Sequence, residues 1–215
     1  MVKRYLSHGV GVNSTALMLL LRDDGEDFES VFVNHGTDYP ETYEYLEYLR
    51  KRGYEITEVV PSVEGCGSLY EYCEKWRIIP AMFWRWCTWK FKVKPYLDYV
   101  ERPCVTYIGF ADGEQKRVDR RKNKTKVQDG IVEKYPLIER GLSRDDCADI
   151  IRGHGLRVPP RSMCWLCPFQ SKKQIVEMSQ KHPEFFERIR RLESYRGRTL
   201  MKKPIGEIVG GGTEK

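Results

Sequence analysis

The stretch Ser7-His8-Gly9-Val10-Gly11-Val12-Asn13-Ser14-Thr15 decides how this chain folds. Before it, Val2 to Leu6 has the makings of a short strand. After it, Thr15 to Arg22 is rich in Leu, Ala and Met, which favour helix, with Ser14 as the expected N-cap. Asp23, Asp24 and Gly25 end that helix. A strand that passes through two glycines into a helix N-terminus presents backbone N–H groups and a positive partial charge to an anion. The hydroxyls of Ser7, Ser14 and Thr15 can donate to phosphate oxygens. No lysine precedes the Ser14-Thr15 pair, which excludes a Walker loop. Ser14 also stands where a dinucleotide fingerprint needs its third glycine.

The same alternation recurs outward from this loop. Phe28 to Val33 is an apolar, partly β-branched strand, and Asn34 to Tyr39 is a polar loop. Pro40 suits a first helical turn, Glu41 to Arg52 reads as helix, and Gly53 stops it. Tyr54 to Val60 and Pro103 to Ile108 are further strands. Strands separated by helices of this length imply an α/β fold: three layers, with a parallel sheet and helices on both faces. Ligands of such sheets sit beyond the carboxyl ends of the strands. That singles out the loops Ser7 to Ser14, Asn34 to Thr42 and Gly109 to Arg117. From Tyr135 the pattern turns helical: Ser143 to Arg152 capped by Ser143, then Lys172 to Lys181 and Glu184 to Tyr195. The expected division is residues 1–134 for nucleotide binding, 135–209 as a cysteine-bearing helical region, and a flexible tail at 210–215.

Composition narrows the class. The chain has 215 residues, 40% of them hydrophobic and 32% charged, with a formal net charge of +6. That argues against a membrane-embedded protein or wholesale disorder. Ala16 to Leu21 is far too short to cross a bilayer, and the start has no signal-peptide apolar stretch, so a cytoplasmic location is expected. Seven cysteines, an odd number, favour metal or redox chemistry over a disulfide framework. Lys116 to Lys126 carries seven basic residues against one acid, Asp119. It reads as a solvated loop or as a seat for a polyanion such as a nucleic-acid backbone.

The first loop resembles the pyrophosphate-binding PP-loop, Ser-Gly-Gly-x-Asp-Ser, of the adenine nucleotide alpha-hydrolase superfamily. Val10 takes the place of a glycine and Asn13 that of the aspartate. Asn34-His35-Gly36-Thr37-Asp38-Tyr39-Pro40-Glu41-Thr42 is similar to the Asp-Thr-Gly…Pro-Glu-Thr segment of phosphoadenylylsulfate (PAPS) reductases. Gly109-Phe110-Ala111-Asp112-Gly113-Glu114-Gln115-Lys116-Arg117 is similar to their Gly-x-x-x-Asp-Glu-x-x-Arg segment. The resemblance spans roughly Tyr5 to Gln170. It implies that Ser7, Gly9, Gly11, Asn13, Ser14, Thr15, Asn34, Gly36, Thr42 and Gly109 bind an adenine nucleotide, ATP or PAPS, with Mg2+ as companion. It also implies catalytic roles for Arg117, through a planar fork on a phosphate or sulfate, and for Glu114, on a metal or the ribose.

Cys164-Trp165-Leu166-Cys167-Pro168 is a two-thiolate hook stiffened by proline. Its partners can come from Cys66, Cys73, Cys87, Cys104 and Cys147. Cys104 lies in a predicted strand and reads as core, and Cys66, between Gly65 and Gly67, as a reactive thiol in a flexible loop or, like Cys73, as a spare cysteine. Cys87-Thr88-x3-Lys92-x2-Pro95 and the segments around Tyr135-Pro136, Cys147 and Pro159-Pro160 resemble an iron–sulfur branch of the PAPS reductase family. That resemblance implies Cys87, Cys147, Cys164 and Cys167 as ligands of a 4Fe-4S cluster; zinc is the competing centre. Rings in Met82 to Trp89 would shield the cluster or stack on a base.

Two enzyme readings follow from the resemblance. One is an ATP pyrophosphatase that adenylylates an acceptor for sulfur transfer to a nucleic acid or small molecule. The other is a PAPS or adenylylsulfate reductase making sulfite. That family's nucleophile sits in a C-terminal Glu-Cys-Gly-x-His, whereas this sequence has no cysteine after Cys167. A non-catalytic nucleotide- or nucleic-acid-binding module is the third reading. Expected partners are the nucleotide, a nucleic acid or sulfur-donor protein, and a second copy of the chain.

Overall fold

The computed structural model describes residues 2–124, 130–195 and 197–210. Along the chain run β1 (Lys3–Ser7), α1 (Val12–Asp23), β2 (Glu29–Val33), α2 (Pro40–Lys51), β3 (Thr57–Val59) and α3 (Leu69–Trp76). Next come α4 (Trp86–Thr88), a π-helical turn (Trp89–Val93), α5 (Lys94–Tyr99), β4 (Cys104–Ile108), α6 (Gln115–Lys124) and β5 (Ile131–Lys134). The chain ends in α7 (Pro136–Glu139), α8 (Arg144–Gly153), α9 (Lys172–Lys181), α10 (Pro183–Ser194) and α11 (Ile205–Gly210). No described helix is long and apolar enough to cross a membrane.

Two compact units share this chain. One comprises Met1–Val33, Pro40–Val59 and Pro95–Ser162; the other comprises Asn34–Tyr39, Val60–Lys94 and Met163–Lys215. The expected boundary at 134/135 differs from this interleaved division. The helical unit draws on segments before and after that point, because Leu69, Tyr72 and Phe91 pack with Trp165, Leu166 and Ile189.

The first unit holds the sheet, in the order β3-β2-β1-β4-β5, with every pairing parallel. Strand alternation divides its apolar residues into two layers. Leu6, Phe32 and Tyr107 pack with α1, α2 and α8 through Leu17, Leu46 and Ile151. The neighbouring residues Tyr5, Val31 and Cys104 pack on the opposite face with Tyr96 and Val100. The sheet is thus covered on both faces, as a parallel sheet requires. In the second unit α9, α10 and α11 enclose a core of Ile175, Met178, Ile189 and Ile205. Ser143 and Ser171 cap α8 and α9, their hydroxyls accepting from Asp146 and Gln174 amides.

Candidate functional site

In the sheet unit, β1 is the point from which the chain winds outward both ways, to β2 and β3 on one side and to β4 and β5 on the other. The crevice of such a sheet opens where the strand order reverses, at the carboxyl ends of β1 and β4. The first and third loops leave those two ends. Gly109, one residue past β4, backs onto the start of α1. A Cβ built there would lie 3.1 Å from the Ser14 nitrogen and 3.2 Å from the Asn13 carbonyl carbon. Only glycine permits this approach of backbone to backbone.

The helix begins one turn earlier than expected: Gly11 is the N-cap and Ser14 is the third residue of α1. Ser14 does not cap the helix; its hydroxyl turns back into the loop. Its Oγ accepts from the amides of Gly9 and Gly11, each at 3.2 Å, and donates to the Gly11 carbonyl at 3.1 Å. The Val10 amide donates to Nδ1 of His8 at 3.2 Å. The three loop amides therefore already converge on acceptors, and one acceptor, Ser14 Oγ, is an oxygen that an incoming phosphate oxygen can replace. Val10 holds the left-handed conformation, φ 52°, where the resembling motif has glycine. Left-handed backbone costs a non-glycine residue about 1–2 kcal/mol. The side chain of Val10 is wholly buried among Val12, Leu17 and their neighbours, a gain of about 1.5–3 kcal/mol that offsets it.

The Val10 bond places the ring proton of His8 on Nε2. That atom, like Asn13 Oδ1, is buried without a hydrogen-bond partner among the described residues. Burial keeps His8 neutral, its pKa lowered to about 3. Asn13 Nδ2 donates to Glu114 Oε2 at 3.2 Å, and the same carboxylate oxygen accepts from the Ala111 amide at 3.0 Å. Asn13 and Glu114, candidates from different loops, thus meet. Arg117 forms an ion pair with the other Glu114 oxygen and lies over the Phe110 ring, 4.2 Å from its centroid, with its side chain more than half exposed. Thr15 and Thr42 are buried in α1 and α2. In the basic run, Arg121 pairs with Glu133; Lys126 and the side chains of Lys122 and Lys124 lie outside the described part.

The remaining candidates belong to the helical unit. Asn34 Oδ1 accepts from the Gly36 amide at 2.9 Å. Gly36 sits at φ 71°, where a Cβ would meet that of Ser68 at 2.6 Å. Segment Thr37 to Tyr39 pairs with the cysteine hook: Trp165 N–H donates to the Thr37 carbonyl at 2.9 Å, and Tyr39 N–H to that of Met163 at 3.2 Å. Thr37 Oγ1 contacts Cys164 Sγ at 3.1 Å and His35 Nδ1 at 2.6 Å. His35 Nε2 in turn faces Asp38 Oδ2 at 3.1 Å. A buried polar chain thus runs from the Cys164 sulfur to a buried carboxylate, whose pKa Lys92 and His35 lower to about 2 despite burial. Sequence reading quoted these three residues within a loop motif and gave them no role of their own. Nothing local in the sequence points to Cys164.

Cys164 and Cys167 form a tight turn, Cys167 N–H donating to the Cys164 carbonyl at 3.1 Å. Gln170 Nε2 braces the turn through the Trp165 and Cys167 carbonyls, at 2.7 and 3.2 Å. Burial raises the Cys164 thiol to about 12 and also raises Cys87. Cys147 lies in the other unit, in the core beneath α8, with burial raising it to about 11. Cys66 is not a flexible-loop thiol. It closes a two-bond turn with Val63, both bonds 3.0 Å, and is 5% exposed. Of the rings in Met82 to Trp89, Trp86 packs on Tyr72 at 5.6 Å, whereas Phe83 and Trp84 are exposed. Cys104 is core, as expected. Among the described residues, no three His, Cys, Asp or Glu side chains already stand in a geometry ready for a metal ion.

Residues 3–156 match the phosphoadenosine phosphosulfate reductase domain, nearly three-quarters of the sequence. The chain belongs to the phosphoadenosine phosphosulfate reductase domain family. The match takes in all five strands and ends before the Cys164–Cys167 hook. A crystal structure of the PAPS reductase of Candida auris, a phosphate complex, shares this fold with a TM-score of 0.54 at 13% identity, covering 74% of this chain and 76% of that one. An uncharacterized protein of Methanocaldococcus jannaschii is 23% identical over 188 residues, or 82% of this chain. The chain spans 44% of the length of that relative. The parallel α/β fold and the family's superfamily membership thus stand as expected.

Proposed function

We propose that this member of the PAPS reductase family binds ATP at the β1/β4 crevice and uses it for adenylylation in sulfur transfer to a nucleic acid or small acceptor. The observation that carries the reading is the convergence of two loops. Gly109 packs on the N-terminus of α1, Glu114 is tied to Asn13, and Gly9 and Gly11 aim their amides at one exchangeable oxygen. Pyrophosphate oxygens would take the place of Ser14 Oγ at those amides, aided by the helix dipole. Arg117, exposed and carried on Phe110, would leave Glu114 for the α-phosphate, where its fixed fork stabilises charge developing in the transition state. Glu114 would then be free to hold Mg2+ or the ribose.

The reaction balances simply. An acceptor oxygen attacks the α-phosphorus, the bond to the bridging oxygen breaks, and pyrophosphate leaves. A sulfur nucleophile then attacks the adenylylated acceptor centre, and AMP departs with the activated oxygen. A 4Fe-4S cluster in the cysteine-bearing unit would supply a place to carry that sulfur, or a structural brace. The free cysteines Cys87 and Cys164, packed in an apolar cluster, with Cys167 beside Cys164 in the hook, are donors suited to it. A reductase would need an accessible nucleophilic thiol. Cys66 and Cys73, two thiols that could take that part, are buried at 5% and 0% exposure, which favours the pyrophosphatase.

The test is incubation of anaerobically prepared protein with ATP and Mg2+. Pyrophosphate and AMP are the expected products. Sulfite released from PAPS with thioredoxin, and no pyrophosphate from ATP, would transfer the protein to the reductases. Arg117→Ala is expected to weaken nucleotide binding about tenfold, the loss of a charge-assisted pair; an unchanged dissociation constant by calorimetry removes that role.

A further inference from the structure

We propose that Cys73, rather than Cys147, is the fourth cysteine of the metal centre, completing a set of Cys73, Cys87, Cys164 and Cys167 inside one compact unit. The inference rests on the cysteine-ligated centre proposed above and changes its membership.

The four residues come from three separate segments of the helical unit. Cys73 projects from the last turn of α3, a helix fixed at its start by the reciprocal Ser68 and Glu71 cap. Its carbonyl accepts from Ile78 N–H at 3.0 Å, which turns the chain back after the helix. Cys87 sits in the middle of α4. Cys164 and Cys167 form the braced hook. Cys73, Cys87 and Cys164 pack in the same apolar cluster with Phe91, Trp165 and Leu166. Cys167 joins Cys164 in the turn of the hook, its N–H donating to the Cys164 carbonyl at 3.1 Å.

Cys147 keeps other company. It is fully buried in the core of the sheet unit with Leu17, Leu137 and Ile151, and the charged groups acting on it are Asp146, Arg144 and Glu114. It has the surroundings of a packing residue, a small hydrophobe filling the α1–α8 contact. Cys66 shares the apolar cluster of the helical unit, its backbone closing a turn with Val63, and is the rival that the experiment includes.

A metal is held by thiolates, so its uptake releases protons and must turn the sulfurs from packing positions toward a common centre. Thr37 Oγ1, already 3.1 Å from Cys164 Sγ, can donate to that sulfur once it is a thiolate. Trp165, fully buried and stacked on Phe185 at 4.8 Å, adds an apolar wall beside the hook.

The experiment compares full-length wild type with Cys73→Ala, Cys147→Ala and Cys66→Ala after anaerobic reconstitution with iron and sulfide. Bound iron, labile sulfide, the visible absorption band and electron paramagnetic resonance of the reduced protein are read, with circular dichroism as the check on folding. Wild type, Cys147→Ala and Cys66→Ala are expected to hold about four irons per chain, and Cys73→Ala at least about fourfold less. A second measurement needs no variant. Oxidative removal of the centre from wild type leaves disulfides among its former ligands, and peptide mapping should find Cys73 joined to Cys87, Cys164 or Cys167.

Full loading of Cys73→Ala with an unchanged spectrum, or Cys147 in those disulfides, overturns the assignment. One zinc per wild-type chain, lost in Cys73→Ala, would keep Cys73 and retire the iron–sulfur reading. Wild type that binds neither metal sinks both.

Discussion

Asn13 and His8 show how much of the first loop is decided by single side chains. An aspartate at position 13, as in the resembling motif, would put two carboxylates where Asn13 Nδ2 now donates to Glu114 at 3.2 Å. Like charges that close raise one pKa and destabilise the site unless a proton or cation enters. Asn13→Asp is therefore expected to lower stability by about 1–3 kcal/mol at neutral pH, with recovery in Mg2+ or mild acid. Urea midpoints with and without Mg2+ check this, and an unchanged midpoint would remove the Asn13–Glu114 bond from the account. His8 adds a pH dependence. Its pKa is 6.5 when unfolded and about 3 when buried, so between those values the unfolded chain binds more protons. The stability present above pH 6.5 is lost as the pH falls through this window, at up to about 1.4 kcal/mol per pH unit. His8→Gln should flatten the fall in melting temperature between pH 6.5 and 4; a parallel fall in both proteins would contradict the buried neutral imidazole.

At the scale of elements, the site exists because β4 ends against the first turn of α1. Gly109→Ala pushes a methyl group to 3.1 Å from the Ser14 nitrogen, and the obstruction is backbone, which cannot rotate away. Overpacking of this kind costs about 1–3 kcal/mol. The variant should unfold at lower urea and bind nucleotide more weakly, whereas Gly153→Ala, at the end of α8 where a Cβ meets nothing within 4 Å, should leave nucleotide binding intact. Equal binding by both variants would show that the close approach does not shape the crevice. The elements themselves were largely legible. Apolar runs located β1, β2 and β4, and Lys172–Lys181 is helical as its Ser171-Gln174 signal implies. Less legible were α3, β5 and α6. In β5 only Ile131 is buried while Val132 is exposed, and α6 is mostly charged, so neither carries a clear apolar period.

The whole molecule interleaves two units, and the proposed metal centre belongs to one of them. Oxidative removal of the centre should raise hydrogen exchange in α3 and around Cys164 to Gln170, and leave the amides of β1 and β4 protected. Loss of protection in both units alike would mean that the two fold and unfold together. The sequence alone determined the alternation of the first strands with helices, the parallel sheet, and the three loops that follow strand ends. Those are written in local periodicity and in glycines, serines and prolines at turns, whose preferences act within a few residues. Only the tertiary structure decided that Ser14 fills its own loop, that Asn13 bonds Glu114 across 101 positions, and which cysteines keep company. The reason is physical: a thiol carries no local conformational signature, so its partners are chosen by the packing of distant segments.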